Sequence, residues 1–563
     1  MTENVSPRRL RVIFAAFAIA TLLLTLRVGY WQTLGRAALV EGATDQVRSD
    51  LVLAAQRGVI RDRNGALLAT TVELKSLYAI PKRIGDEPAR QLAAAKLAPL
   101  LATTSGAVLT LLDSGADWLY LRRRLPEETA KAIEALGITG LGFETEPKRL
   151  YPNDTMAANL LGFVNDDGVG QYGIEGQYDK ALRGVAGRLV VERDPQDREL
   201  ALGLRTAQPA VNGADLGLTI DLVVQTAAER ALRNAIATEH AAGGCVVVMD
   251  PKDGAILALA SYPSYDPANV AKADPESLRD RCTSWQYEPG STMKAVTIAG
   301  AIDQHVVTPN TTYEDKGYAI IGGRRLNNAL GKAYGTSTVT QILEHSANAG
   351  AVFVAQKLGA DELYSYLRAF GFGTASGVDL AGEATGEVRP VAQWYPVDLG
   401  TVAFGQGIAA TPLQLAAAYS AIANGGTLYR PYVVATRRDA DGEHRTAPVA
   451  VGHPISAETA ATLRAMLTST VDNGIANGAS LPHYSVAGKT GTAQIPSDDG
   501  RYIDGQYISS FAGFAPANDP RFVTVIVIER PQSELYGTVT AMAAFRDLAS
   551  DALRNARVQP DRP

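Results

Sequence analysis

The sequence predicts an α/β sandwich, preceded by a mixed α+β region and one apolar N-terminal helix. Three observations carry this. Strand-like segments open (216–220, 246–249, 255–260) and close (484–492, 507–515, 522–529) the C-terminal part, with helical patterns between them, so one sheet must join distant stretches of chain. Residues 35–212 alternate short apolar strands with Gly- and Pro-containing turns. Residues 12–26 form an uncharged 15-residue run, VIFAAFAIATLLLTL.

Taken in order, the apolar run is shorter than the ~20 residues of a full span. Arg27 directly follows it and can snorkel outward, with Tyr30 and Trp31 at the interface, which extends the expected membrane segment to 10–32. Arg8, Arg9 and Arg11, against one Glu3, place the tail 1–9 in the cytoplasm and the rest of the chain, beyond the apolar run, on the other side of the membrane. A cleaved signal peptide is the competing reading; no A-x-A site directly follows the run.

In the next region, 35–212, Asp62-Arg63-Asn64-Gly65 sits between two apolar stretches and predicts a hairpin with a primed turn. Residues 126–136 (PEETAKAIEAL) predict a helix with proline at its start and acids in its first turn. Residues 162–184 predict a glycine-rich turn region and a short helix. Asp221 then leads into a long helical pattern, and 246–260 predicts a hairpin of buried strands. Residues 541–556 predict a closing helix, and 557–563 a frayed tail. The expected division is therefore 1–9 tail, 10–32 anchor, 35–212 first domain, 213–556 second domain, 557–563 tail.

Composition excludes several classes. The chain has 563 residues, 46% hydrophobic and 20% charged, with a net charge of −6. That balance argues against nucleic-acid binding, which wants a basic face. Cys245 and Cys282 fit neither a disulfide framework nor a zinc site and read as two buried thiols. The six histidines show no ligand spacing, so no metal and no cofactor are expected.

Three short motifs carry chemistry: Ser291-Thr292-Met293-Lys294, Ser346-Ala347-Asn348 and Lys489-Thr490-Gly491, each pattern occurring once. Tyr287-Glu288-Pro289-Gly290 precedes the first, and 292–301 predicts a helix with Ser291 at its N-terminus. Lys294, three residues on, shares a helix face with Ser291. A serine hydroxyl is a weak nucleophile and needs an adjacent base. A lysine serves only if burial or a neighbouring cation, here Lys489, brings its pKa toward neutrality. The spacing of Ser346 and Asn348 suits a turn aiming both inward, one to shuttle a proton and one to hold substrate amides. Lys489, Thr490 and Thr492 follow a short strand and offer charge and hydroxyls to a carboxylate; Gly491 lets a backbone pass close. Each motif alone occurs by chance in many chains; their joint, ordered occurrence points to one site. Two other patterns fail. Ala487-Gly488-Lys489-Thr490 has His483 where a P-loop needs glycine, and Gly168–Gly173 matches G-x-G-x-x-G but follows the acidic Asn165-Asp166-Asp167.

These motifs are the set described for penicillin-binding proteins and β-lactamases. The chain resembles a class B penicillin-binding protein nearly end to end. Arg57-Gly58-Val59-Ile60, Asp62-Arg63-Asn64-Gly65, Arg149, Tyr151-Pro152 and Gly173-Ile174-Glu175-Gly176 look like the family's pedestal signatures, and Phe404-Gly405-Gln406-Gly407 with Thr411-Pro412 like the segment before its last catalytic strand. The spacings, 55 residues from Ser291 to Ser346 and 143 from there to Lys489, are family-like. The short tail, compact pedestal and ending (Phe514-Ala515-Pro516-Ala517, Glu529-Arg530-Pro531, Tyr536-Gly537) are more similar to the FtsI-like division branch than to the elongation branch. One departure is Ala543-Ala544-Phe545, where that branch often has a proline before an aromatic.

The resemblance implies a β-lactamase-like transpeptidase domain, with helices around a mainly antiparallel sheet, on a dimerisation-type pedestal. It also implies D,D-transpeptidation of peptidoglycan stem peptides. Ser291 would attack the penultimate D-alanine, Lys294 act as base, Ser346 relay the proton and Asn348 orient the donor. Lys489, Thr490 and Thr492 would hold the terminal carboxylate, with the oxyanion on the N–H groups of Ser291 and Thr492. The implied partners are D-Ala-D-Ala donors, amine acceptors, β-lactams, a SEDS-type glycosyltransferase, other division proteins and the lipid around 10–32. An elongation-type enzyme, a β-lactamase or carboxypeptidase, and a non-catalytic β-lactam sensor or scaffold are the alternatives.

Overall fold

The structure is a computed structural model that describes residues 7–37, 48–194, 198–200, 205–497, 501–532 and 537–563. Most of the expected tail 1–9, and Tyr536 of the ending motif, lie outside the described residues. The chain forms two compact units, one of Met1–Gln56 with Gly184–Gly213, the other of Arg57–Arg183 with Ala214–Pro563.

In the first unit, Pro7–Gln32 is a single 26-residue helix with no buried residue. Among the described residues it is the one helix long and apolar enough to cross a membrane. The Arg27 guanidinium lies over the rings of Tyr30 and Trp31, 5.9 and 4.8 Å from their centroids. The unit's sheet is antiparallel, with Gly187–Glu192 between Arg48–Leu53 and Arg205–Gln208.

In the second unit, the 13-residue strand Leu67–Ala79 organises the segment before the motifs. It pairs with Ile60–Arg61, Leu119–Leu125 and Leu141–Leu150, all antiparallel. Three helices, Glu87–Leu100, Ser105–Leu112 and Glu127–Glu134, bury Leu97, Val108 and Ile133 with Leu77 and Leu125. Ile60–Arg61 also pairs in parallel with Asp215–Leu218, which pairs in turn with Val434–Asp439, so this sheet continues into the segment that carries the motifs.

The hairpin at 62–65 forms, but its turn is not primed. A primed turn with Asn64 and Gly65 at its centre needs positive φ at both. Only Gly65 has it, at 87°. The Asp62 carboxylate accepts from the N–H groups of Asn64 and Ala66 at 2.8 and 2.7 Å, and Gly65 N–H reaches the Asp62 carbonyl at 3.1 Å. That arrangement is a type I turn followed by a left-handed glycine, held by the aspartate.

The sheet that carries the third motif is antiparallel and five-stranded, in the order Ile256–Tyr262, Gly243–Met249, Phe522–Glu529, Tyr502–Ala515, Ala487–Pro496. Val246 opposite Ile526 shows how early and late chain join. One face buries Val246, Val248, Phe511 and Ile526 against the helices Leu222–Glu239 and Gly537–Asn555. The other buries Val247, Ala512 and Val525 against a larger helical layer that includes Lys294–Asp303 and Pro412–Ala423. The expected sandwich is therefore what forms. The long helix expected after Asp221 forms, and Asp221 caps it, accepting from Val223 and Val224 N–H at 3.0 and 3.3 Å. Cys245 and Cys282 are free thiols, both buried.

Candidate active site

The site is built where a tight turn, an inter-helix corner and a sheet edge meet. The turn comes first. Residues Gly290–Met293 form a 3-10 turn, and the α-helix runs Lys294–Asp303, two residues later at each end than the expected 292–301. Two hydrogen bonds tighten this turn: Thr292 Oγ1 donates to the Pro289 carbonyl at 2.8 Å, and the buried Tyr419 hydroxyl takes the Thr292 carbonyl at 2.9 Å. Gly290 has φ of 57°, and a Cβ there would lie 2.8 Å from the Thr492 carbonyl oxygen. Only glycine lets the nucleophile turn touch the edge strand.

The corner comes next. Ser346 ends the helix Val339–His345 in the left-handed region, at φ 55°. Asn348 begins the next helix, Asn348–Leu358. The kink turns both side chains toward Lys294. The third part is the outermost strand, Ala487–Pro496, with Lys489 opposite Ala512 and Thr490 opposite Phe511. A Cβ on Gly491 would meet Ser510 Oγ at 2.3 Å and the Pro289 carbonyl oxygen at 3.0 Å, so the strand closes on the serine turn only through glycine.

These parts bring the predicted residues together. Lys294 Nζ lies 2.9 Å from Ser291 Oγ and 3.2 Å from Ser346 Oγ, and donates to the Ser346 carbonyl at 2.6 Å and Asn348 Oδ1 at 2.8 Å. Lys489 Nζ donates to the same Ser346 Oγ at 2.9 Å and to the Thr490 carbonyl at 3.2 Å. The Ser346 hydroxyl thus stands between two amines. Both lysines are fully buried, at 0% exposure, whereas Ser291, Ser346, Asn348 and Thr492 are partly open.

Among the described residues, no carboxylate partners either lysine. Burial, and then the Lys489 charge, hold Lys294 well below the ordinary lysine range. Burial alone brings Lys489 down to about 7. A neutral Lys294 amine has two N–H bonds and one lone pair. The acceptor-only Ser346 carbonyl and Asn348 Oδ1 take the two N–H groups, which leaves the lone pair for the Ser291 hydroxyl. The arrangement is that of a serine already hydrogen-bonded to its base.

Sequence reasoning missed several supports. Tyr419 carries no spacing signal. Glu288, raised by burial, accepts from Gly407 N–H at 2.8 Å and from the Tyr502 hydroxyl at 3.0 Å, tying the turn before the serine to two other segments. Its place three residues before Ser291 was the available signal. Beside it opens a cavity of about 400 Å³ lined by Trp285, Glu288, Arg389, Gly407, Ile495 and Glu529, among others. Asn327 and Asn328 also went unnoticed; Asn348 Nδ2 donates to the Asn327 carbonyl at 2.9 Å.

Two family models match the chain. The penicillin binding protein transpeptidase domain matches residues 244–550, and the penicillin-binding protein dimerisation domain matches 52–218. Stage V sporulation protein D of Bacillus subtilis is 34% identical over 99% of this chain and 87% of its own length. The chain belongs to the class B penicillin-binding proteins. The peptidoglycan D,D-transpeptidase FtsI of Escherichia coli is 31% identical over 98% of this chain and 92% of that protein. Among solved structures, penicillin binding protein 3 from Mycobacterium tuberculosis complexed with aztreonam aligns with a TM-score of 0.71 at 27% identity, covering 91% of this chain and 99% of that one. A class B penicillin-binding protein has peptidoglycan as its substrate and takes β-lactams at its transpeptidase domain, and the N-terminal apolar helix of this one suggests a membrane anchor.

Proposed function

We propose that this chain is a membrane-anchored D,D-transpeptidase that cross-links peptidoglycan stem peptides during septal wall synthesis. One observation carries the chemistry: a buried amine, with no acidic partner among the described residues, lies 2.9 Å from Ser291 Oγ. Neutral Lys294 takes the Ser291 proton as Oγ attacks the carbonyl of the penultimate D-alanine. The contact between Gly290 and the Thr492 carbonyl supports an oxyanion site between the N–H groups of Ser291 and Thr492, where loss of one donor costs ~10²–10³ in rate. The proton passes from Lys294 to Ser346 and on to the departing D-alanine amine. Lys489, with Thr490 and Thr492, holds the terminal carboxylate, and that anion draws Lys489 toward its charged form. Asn348 orients the donor amide. An amine from a second stem then attacks the acyl-serine, and the same groups run in reverse. β-Lactams enter as imitations of the D-Ala-D-Ala end.

The similarity to FtsI supports the division role. Arg8, Arg9 and Arg11 support a cytoplasmic N-terminus and a catalytic domain on the far side of the inner membrane. A glycan polymerase of the SEDS type is the proposed partner, on the resemblance to the FtsI-like division branch. A synthetic donor ending in D-Ala-D-Ala tests the chemistry. Wild type should release D-alanine and join the donor to an added amine, and Ser291→Ala should do neither. Retained release in that variant would overturn the assigned nucleophile. A fluorescent fusion at midcell would support the division role; one along the side wall would move the chain to the elongation branch.

A further inference from the structure

We infer that a buried Asp315–Asn328 pair positions Asn348, and through it the Lys294 amine, for the proposed acyl transfer. This inference rests on that reading. Asn348 can serve Lys294 only in one orientation of its amide, with Oδ1 toward the amine. What fixes that orientation lies outside the three motifs.

Two successive residues, Asn327 and Asn328, grip two successive residues at the start of the helix Asn348–Leu358. The Asn327 carbonyl accepts from Asn348 Nδ2 at 2.9 Å. Asn328 Oδ1 accepts from the Ala349 N–H at 2.8 Å, capping the helix from a distant segment. A carbonyl can only accept, so Asn348 must turn its NH₂ to Asn327 and its oxygen to Lys294, where they are 2.8 Å apart.

Asn328 is itself locked. Its Nδ2 donates to both Asp315 oxygens, at 2.9 and 3.0 Å, and to the Lys332 carbonyl at 2.9 Å. Asp315 also accepts from the Gly317 N–H at 2.7 Å and the Tyr313 hydroxyl at 2.8 Å. Asp315 and Asn328 are 1% and 4% exposed, and among the described residues the carboxylate's partners are neutral donors. A buried carboxylate held only by neutral donors is costly unless every donor is in place. Rotation of the Asn328 amide would present oxygen to carboxylate, so the pair admits one arrangement.

The prediction concerns the pH dependence of acylation. Among the described residues, the titratable groups that face the Lys294 amine are the Ser291 and Ser346 hydroxyls and Lys489; no acid does. Releasing Asn348 removes one N–H acceptor that favours the orientation of the Lys294 lone pair toward Ser291. In detergent-solubilised full-length protein, the test is the second-order rate of acylation by a fluorescent penicillin, per site active at saturation, across pH. For Asn328→Asp, which sets a second carboxylate against Asp315, and for Asn328→Ala, the per-site rate should fall by about tenfold or more, the scale of misplacing a reacting group. The acid limb of the profile should also move relative to wild type. Tyr313→Phe, which removes one donor and leaves Asn328 in place, should change the rate less. Failure of wild type to acylate would strike the transpeptidase reading instead. A per-site rate and pH profile unchanged in both Asn328 variants would overturn the positioning role. So would a loss of folding in both variants with Tyr313→Phe kinetically silent, because the pair would then serve the fold alone.

Discussion

The Ser346 hydroxyl accepts from the Lys489 amine at 2.9 Å and lies 3.2 Å from the Lys294 amine, and that single hydroxyl couples their protonation. Two ammonium groups so placed repel, so one yields its proton first; Lys294, shifted both by burial and by Lys489, is that one. Acylation needs neutral Lys294 and charged Lys489, so its rate should trace a bell, falling in acid as Lys294 protonates and above about neutrality as Lys489 deprotonates. A rate that rises monotonically with pH would contradict the role given to Lys489. The same burial costs stability. The unfolded chain binds more protons than the folded one between the depressed folded pKa and the ordinary lysine value, so stability rises with pH through that window. Lys489→Met should therefore raise the melting temperature, and by more at about pH 6 than at about pH 9, while acylation is lost. Thermal melts at the two pH values check it; an equal or reversed difference would deny that burial sets the shift.

The turn and the edge strand fit only because specific groups hold them together. The Tyr419 hydroxyl donates to the Thr292 carbonyl from a helix 127 residues further along the chain. Tyr419→Phe should lower stability by ~1–2 kcal/mol through one lost buried bond and slow acylation by loosening the 3-10 turn. Denaturant unfolding with per-site acylation rates measures both; full activity would show that the turn needs no such tie. The three motifs were readable in the sequence because each packs its chemistry into three or four consecutive residues. Their supports were not. Asn328, Asp315 and Tyr419 are single polar residues, and their meaning depends on pairing with chain far away. The turn at 62–65 failed for a related reason. Its Asn-Gly pair suggests a primed turn, but the Asp62 side chain caps the backbone and holds Asn64 out of the left-handed region.

At the scale of the molecule, apolar patterning predicted the strands of the catalytic sheet, and their order around the helices implied that early and late chain must meet. It could not give the register that sets Val246 against Ile526, because buried strands apolar on both faces carry no alternation. Nor did composition show that residues 184–213 group with 1–56 while 57–183 group with 214–563. The signatures of the 57–183 segment are structural: Glu175 is fully buried and receives Arg57 and Arg149 at 2.6 Å each, while Arg57 also meets Asp179 at 2.7 Å. Glu175→Ala would leave Arg149 without a carboxylate in the interior and Arg57 with Asp179 alone, and should cost ~3–5 kcal/mol, visible as a lowered denaturation midpoint. A change below about 1 kcal/mol would show that water reaches the arginines. The central claim, that turn, corner and strand compose one acylating site, is tested most directly by mass spectrometry of the proteolysed protein after exposure to a β-lactam. The account predicts a single mass addition, on the peptide that contains Ser291, absent from Lys294→Ala under the same brief exposure. An adduct on any other peptide, or equal labelling without the Lys294 amine, would contradict it.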